Sequence, residues 1–578
     1  MPLERDKSNG FKFSLKPYIG TGLFPEQFAR NIPLWKTGAD IIFTSTGVEK
    51  RKGNALVVDL SNGEPIRGLM QNKEAGSTAV VYAGDLSNIY RILLEDGSFT
   101  TVGSGYSLSE DSGSAVWDSG SSSWDSGLTT WDFGVVKSDQ WSFVSFGEWA
   151  LATYGSAPQI RKGTGYFVGM PGGVTGVFIT SPGTGYVVGD TITLTGGDGT
   201  GATAEVMAVG GSGEVTEIGM SDSGSGYTTV PTGVSGGTGS ALACSFTVCD
   251  MDVSTVSIFK KFGPHIIGFN TSTSGKEFIW CDADDPDTWV AASDNLAGQL
   301  EIRELETGIQ AVCQLGSRLA VYGEDQLFLV SYLANDLVFG YQAALSGIGA
   351  VSKKAVVSVG RQNYGLSQQG FFATDGTGFE YIDEPAIRDY FTDNANRAQL
   401  SKTCAYHDED NTQIRWYFPT DESGNTGGVS FNYKTNTWSI LTGDTSAGDE
   451  RRIDNYPLSG SEAGLVYRES NGNNTGDSPL VAWVRSRPLD LDDADSVKEL
   501  DSIRIGYTGF GLTYRIGWSE TENGTITWTD YASMDEGFPF HNLRTAGRWM
   551  YIELYSGTLN AEWSVADIEV IGRLEGTR

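Results

Sequence analysis

Proton transfer and metal binding draw on few side-chain types, and this sequence supplies them outside any motif. Its three histidines, His265, His407 and His541, stand apart, none in a zinc-binding helix pattern or beside a nucleophile elbow in strand-to-helix context. Two acidic runs share one spacing: Asp282, Asp284, Asp285 and Asp287, then Asp490, Asp492, Asp493 and Asp495. Dense carboxylates chelate Ca²⁺, but a calcium loop counted from Asp282 puts Pro286 at its fifth position and one from Asp490 puts Ala494 there. Neither has Glu at the twelfth, so both runs read as solvated turns. Carboxylates paired in space for glycoside cleavage leave no linear signature among 72 acidic residues. The five cysteines, Cys244, Cys249, Cys281, Cys313 and Cys404, form no C-x-x-C pair, which points away from a zinc module and a disulfide scaffold. The Gly-rich stretches lack the Lys and the following helix of a phosphate cradle. No catalytic, cofactor-binding or metal-binding residue is assigned, no cofactor is expected, and the expectation is a protein that is not an enzyme.

The elements that would carry such residues are strands. The 578 residues include 76 Gly, 15 Trp, 24 Tyr and 27 Phe against 17 Pro, a composition of tight turns and large strand-favouring side chains. Apolar runs such as Asn54 to Leu60, Leu319 to Tyr332 and Tyr551 to Tyr555 are short and end near Gly, Asn or Asp. An all-β fold follows. One stretch, Glu384 to Leu400, spaces Ile387, Tyr390 and Phe391 as a helix does and predicts a single short helix. With 40 basic against 72 acidic residues the formal charge is −32, which argues against a protein that grips nucleic-acid phosphates through a basic surface. The first residues, MPLERDKSNGFKFSLKPYIG, lack the apolar core of a secretory signal, and no window reaches the length of a membrane helix. A soluble protein made in a cytosol is expected.

Composition also marks internal organisation. From about Phe167 to Val248 the chain is mostly Gly, Thr, Val, Ser and Ala, and the GTGY at Gly183 is echoed by the GSGY at Gly224. Two copies are too few for a solenoid, so this reads as a small β-domain of two similar halves inserted in a larger fold. Glycine supplies the positive φ of each turn, and the Tyr packs across it. Before it, Trp117, Trp124 and Trp131 recur every seven residues with Gly and Ser between, a run of Trp-anchored turns and not a coiled coil. Two stretches are similar to the Asp-box of sialidase propellers: Ser123 to Trp131, one residue too long, and Thr521 to Trp528, with Asn523 in place of Asp and Thr525 in place of Gly. Such boxes are turn elements remote from chemistry, so they point to blade turns and not to catalysis.

From Lys261 onward the order of features becomes specific. EFIWCDADDPDTWV (Glu277 to Val290) precedes QLGSRLAVYGEDQLFLVSY, a Gly-x-Gly to Ser transition at Gly347 to Ser358, a Gly-Phe-Phe to Asp-Gly hairpin at Gly370 to Gly376, and Asn432 to Ser439 with its Trp-Ser end. This series resembles the β-propeller of tail nozzle proteins of short-tailed bacteriophages, also called tail hub, tail tubular B or packaged-DNA stabilisation proteins. Gly47 to Gly53 is similar to the family's first strands, with Lys52 where Pro is usual, and Gly547 to Ile552 and Trp563 to Val565 also resemble it. The resemblance covers about 21 to 160 and 250 to 578.

It implies an all-β β-propeller with a small inserted Gly-rich β-domain and a strand-rich C-terminal segment. The expected divisions are an N-terminal arm (1–20), a first part of the propeller or platform (21–166), the inserted domain (167–249), the propeller continued (250–480) and a C-terminal segment closing the fold (481–578). It further implies a virion structural protein in the tail, made in the host cytoplasm. There a homo-oligomeric, hexameric ring would continue the DNA channel below the tail adaptor protein, retain the packaged genome and conduct duplex DNA transiently during ejection. Tail fibres or tailspikes and a plug protein are further implied neighbours. The alternative is a propeller-based receptor-binding or glycan-degrading tail protein.

Overall fold

A computed structural model describes residues 4–5, 10–15, 35–44, 47–74, 76, 78–108, 140–333, 337–420, 424, 426–491, 494–533 and 541–575. The Trp117, Trp124 and Trp131 turns and the Asp-box-like stretch at 123–131 lie outside the described residues. The chain is an all-β β-propeller of seven blades, each an antiparallel sheet of four strands. Their inner strands are Gly68–Lys73, Ser142–Phe146, Val256–Phe262, Ala311–Leu315, Val356–Val359, Cys404–Asp408 and Thr445–Asp449. Each inner strand touches the next, and the seventh touches the first, so the ring is closed. The closure joins distant sequence: the outer strand of blade 7 is Asn54–Asp59, paired antiparallel with Leu465–Glu469. Radial closure of this kind leaves few free edges.

The seams between blades explain the aromatic content. Blades 1 and 2 meet over Tyr82, Trp141, Phe143 and Phe167, blades 3 and 4 over Phe269, Phe278, Trp280 and Phe328, and blades 7 and 1 over Val58, Ile66, Ile92 and Leu458. Alternating strand residues face opposite seams, so one blade feeds two apolar wedges. The seam between blades 6 and 7 differs. Its apolar part is reduced to Cys404, Tyr406, Tyr417 and Leu441, and buried charges occupy the rest.

The C-terminal segment does not close the propeller; it builds a β-sandwich. One sheet holds Gly10–Leu15, Glu562–Glu575, Val497–Phe510 and His541–Gly547, and the other holds Trp35–Ala39, Ala482–Ser486, Trp549–Ser556 and Thr513–Ser519. Trp35–Ala39 therefore belongs to the sandwich and not to a blade. It also meets the outer strand of blade 6 in parallel at Ala39 and Ile440, so that sheet runs unbroken from blade into sandwich. The core is shared as well: Trp416 and Trp438 of blade 6 and Ile503, Ile552 and Trp563 of the sandwich lie in one buried cluster.

Between blades 2 and 3 the chain leaves as Val174–Thr184 and returns as Ser240–Val248, with Val174 paired to Val248 at the root. The ribbon carries a sheet of Val215–Asp222, Thr203–Val209, Thr191–Thr195 and Gly233–Gly236. Gly183 (φ +60°) and Gly224 (φ +62°) hold equivalent turns, and Tyr186 and Tyr227 are buried beside them. This insertion is not separately packed, because Val174, Val177 and Met220 share one buried cluster with Leu151, Val256 and Phe259 of blades 2 and 3. The helix spans Pro385–Asn394, burying Ile387 and Phe391, and stops at Ala395, after which Arg397–Lys402 forms a 3₁₀ turn.

Candidate functional site

Propeller closure brings to one axis residues far apart in sequence. At the end where the inner strands begin, the axis is laced by side chains. The Lys353 ammonium of blade 5 donates to the carbonyls of Gln140 (3.4 Å) and Tyr154 (3.2 Å) of blade 2. Gln140 Nε2 donates to Thr403 O at 3.2 Å, and Ser352 Oγ donates to the same carbonyl at 2.6 Å. A single lysine side chain thus spans the axis here.

Farther along, Lys260, Asp449 and Arg452 come close enough to Lys354 for their charges to act on it. Lys354 is placed by backbone pairing, its carbonyl accepting from Ala405 N at 2.9 Å. Asp449 ends the inner strand of blade 7, and its Oδ2 accepts from Gln71 N of blade 1 at 2.8 Å. Burial raises the Asp449 carboxyl above the ordinary range, against the pull of Arg452, whose Nε lies 3.5 Å away. Burial and the neighbouring Lys260 charge pull the Lys354 ammonium down to about 8. A carboxyl raised and an amine lowered are the directions in which burial moves charged groups.

At the far mouth, between blades 6 and 7, a polar cleft of about 680 Å³ is lined by Glu409, Asp410, Thr412, Tyr433, Lys434, Arg451 and Arg452. Arg451 Nη1 pairs with Asp410 Oδ1 at 3.0 Å, and Arg452 Nη2 with Glu450 Oε1 at 3.2 Å. Arg452 lines this cleft and also pairs with Asp449. His407 Nε2 lies 3.1 Å from Tyr433 Oη at the cleft wall, and burial lowers its pKa.

The histidines are not brought together. His265 is buried in blade 3, with Nδ1 2.8 Å from Cys281 O, and His541 stacks edge-on to Tyr514 in the sandwich. The first acidic run caps turns: Asp285 accepts from Asp287 N and Thr288 Oγ1, and Asp282 from Leu296 N. Asp287 does more, pairing with Lys162 and accepting from Thr175 Oγ1 at the root of the insertion. Of the second run, Asp492 and Asp493 lie outside the described residues. The Thr521 to Trp528 stretch is a turn of the sandwich and not of a blade. The five cysteines form no disulfide with one another. Among the described residues no three His, Cys, Asp or Glu side chains gather as a metal site. Sequence reasoning missed Lys260, Lys354 and Asp449, because their shared address exists only once blades 3, 5 and 7 close on one axis.

No protein-family model matches the sequence, and no curated protein matches it. Among solved structures, the chain is similar to YCF48 from Cyanidioschyzon merolae at 9% identity and a TM-score of 0.27, over 72% of this chain and 98% of that one. It is similar to apo AztD from Citrobacter koseri at 9% identity and 0.29, over 70% and 92%. It is also similar to an exo-beta-1,3-galactanase from Phanerochaete chrysosporium at 9% identity and 0.20, over 68% and 99%. At these values the likenesses concern architecture, which the strand pairing of this chain establishes by itself. They do correct one expectation: with glycoside hydrolases among the similar structures, the exclusion of enzyme activity drawn from missing motifs is withdrawn.

Proposed function

We propose that the chain is a virion structural protein, the subunit of a tail nozzle ring through which duplex DNA leaves a short-tailed phage. The observation that carries this reading is the ordered series from Glu277 to Ser439, resembling the nozzle family, set on consecutive blades 3 to 6. The laced axis supports a particular form of it. A channel bridged by one lysine side chain cannot pass a duplex whose major groove alone is about 12 Å wide. DNA would instead travel a lumen formed between copies, with the propeller as a wall element. The continuous sheet joining blade 6 to the sandwich suits a rigid wall under internal load. Negative-stain microscopy of the purified protein tests this: sixfold rings are expected, and a monomer or trimer at every concentration overturns it.

A second reading, a propeller-based receptor-binding or glycan-degrading tail protein, is favoured by the polar cleft, whose Arg452 lies 3.5 Å from Asp449. Depolymerisation of a host capsular glycan, abolished by Asp449→Asn in a folded protein, would establish it over the first.

A further inference from the structure

In the sandwich, strand alternation turns Val484, Ile516, Ile552 and Leu554 into the shared core and sends Arg485, Arg515 and Glu553 to the opposite face of their sheet. The register sets these three side by side on neighbouring strands, with an arginine on each flank of Glu553. Nε and Nη2 of Arg485 lie 2.7 and 2.6 Å from Glu553 Oε2, and those of Arg515 lie 2.7 and 2.6 Å from Oε1. Tyr531 Oη donates to Oε1 at 2.5 Å. The carboxylate is covered, at 3% side-chain exposure, while the two arginines reach solvent at 32% and 23%. Rings hold the guanidiniums in place: that of Arg515 is 4.4 Å from the Trp528 centroid and 4.6 Å from that of Tyr531, and that of Arg485 is 5.0 Å from Trp528 and 5.6 Å from Trp483. Among the described residues neither Nη1 has a partner.

Two guanidiniums therefore share one carboxylate, and Asp530 in the neighbouring turn is exposed and pairs with neither. Trp, Tyr and Arg dominate the energetic centres of protein interfaces. Here Glu553 and the rings order the free guanidinium edges before any partner arrives, and the group such edges match is a carboxylate. The same chain offers carboxylates on another surface. Glu301 ends the outer strand of blade 3, Gly298–Glu301, and Glu304 and Glu306 follow it. Glu306 N donates to Gln326 Oε1 at 2.8 Å and Glu324 N to Thr307 Oγ1 at 3.1 Å, which brings the Glu324–Asp325 turn of blade 4 beside them. All five acids are exposed, against Arg303 and the half-buried Lys276. This rim lies two to three blades from blade 6, whose sheet continues into the sandwich, so within one chain the two surfaces stay apart.

We propose that the arginine and aromatic face around Glu553 docks on the acidic rim of blades 3 and 4 of a second copy of this chain. The contact joins two different surfaces head to tail, the kind of interface that closes a ring. The inference rests on the ring reading above and names the surfaces that would build it.

Sedimentation velocity over a dilution series, on the full chain, tests the contact. Wild type is expected to assemble. Glu304→Lys with Glu306→Lys on the rim, and Trp528→Ala or Tyr531→Ala on the face, should each weaken assembly by roughly tenfold or more. Rim and face variants mixed at equal concentration should form dimers where each alone stays monomeric, because one intact face then meets one intact rim. Wild-type assembly that all the variants retain, or a mixture that yields no dimer, overturns the proposal and leaves the ring reading standing. Wild type monomeric at every concentration overturns both. Assembly indifferent to the variants, together with binding of sodium glucuronate that Trp528→Ala abolishes, would give the face to an acidic sugar and also overturn the proposal.

Discussion

Arg415 of blade 6 and Glu469 of blade 7 meet at 3.1 Å across a seam of the propeller that is held largely by charge. Neither side chain is reached by solvent, and Arg415 also grips Asp408 at 2.6 Å. Glu469 accepts from Ser459 Oγ at 2.6 Å and Asn54 Nδ2 at 3.2 Å, which connects the seam to the strand that closes the ring. Arg51, paired with Asp40 at 2.8 Å and 3.7 Å from Glu469, extends the network toward the sandwich. Buried, fully partnered charges fix geometry more than they add stability. Their position at the closing blade suits a role in setting its register.

Removing one partner strands the others. Arg415→Met should destabilise the protein by about 3–5 kcal/mol, because Asp408 and Glu469 would remain buried and uncompensated. Denaturant unfolding checks this, and a change below about 1 kcal/mol would show that water or rearrangement rescues the seam.

The same network sets an acid limit. Burial alone would raise the Asp408 carboxyl, but Arg415 and the Ser470 and Asn411 donors hold it below its ordinary value. A depressed carboxyl contributes stability that is present above its unfolded value near 4 and lost as pH falls through the folded one. Tm should therefore drop steeply below about pH 4, and Asp408→Asn should flatten that drop.

Glu384 behaves in the opposite way. It precedes the helix with one carboxylate oxygen buried and unpartnered, and burial raises its pKa to about 7. The unfolded chain ionises it first, so stability is lost as pH rises from its ordinary value of 4.5 through about 7. Glu384→Gln should stabilise the protein at pH 8 and change little at pH 4, read as Tm at both values.

The insertion turns give a local prediction. At Gly183 the backbone is left-handed and an added Cβ would lie 2.6 Å from Ser240 O. Gly183→Ala should destabilise the insertion by more than about 1 kcal/mol, seen as faster proteolysis between 174 and 248 with the blades intact. Because the root shares its core with blades 2 and 3, cutting out Phe167 to Val248 entirely should lower propeller stability as well.

What was legible in the sequence was local. Alternation and turn residues gave the strands, the GTGY and GSGY echo gave the paired turns at Tyr186 and Tyr227, and the spacing of Ile387 and Phe391 gave the helix. What was not legible depended on closure. Nothing near Asn54 announces Glu469 as its partner, and Lys260 and Asp449 on their strands, and Lys354 just before one, have unremarkable flanks. Arg415 reads as an ordinary surface residue in QIRWYF until both its seams are buried. Motif absence likewise says little about a fold whose axis gathers side chains from every blade.

A conducting lumen between copies should repel its cargo. Lysine and arginine rings would bind phosphates and slow transit, whereas carboxylates keep the duplex centred over about 8 Å at physiological ionic strength. The free protein should show no measurable duplex affinity at physiological salt by fluorescence anisotropy. Tight binding there would move the DNA-handling surface to a basic patch.

The decisive measurement is density for a virion tail at a resolution that distinguishes a seven-bladed propeller. The expected result is six copies of this fold in a ring below the adaptor, blades forming the wall and more carboxylates than basic groups facing the lumen. Density that places the chain instead at the tip of a fibre or spike, or finds no copy in the tail, would contradict the nozzle reading.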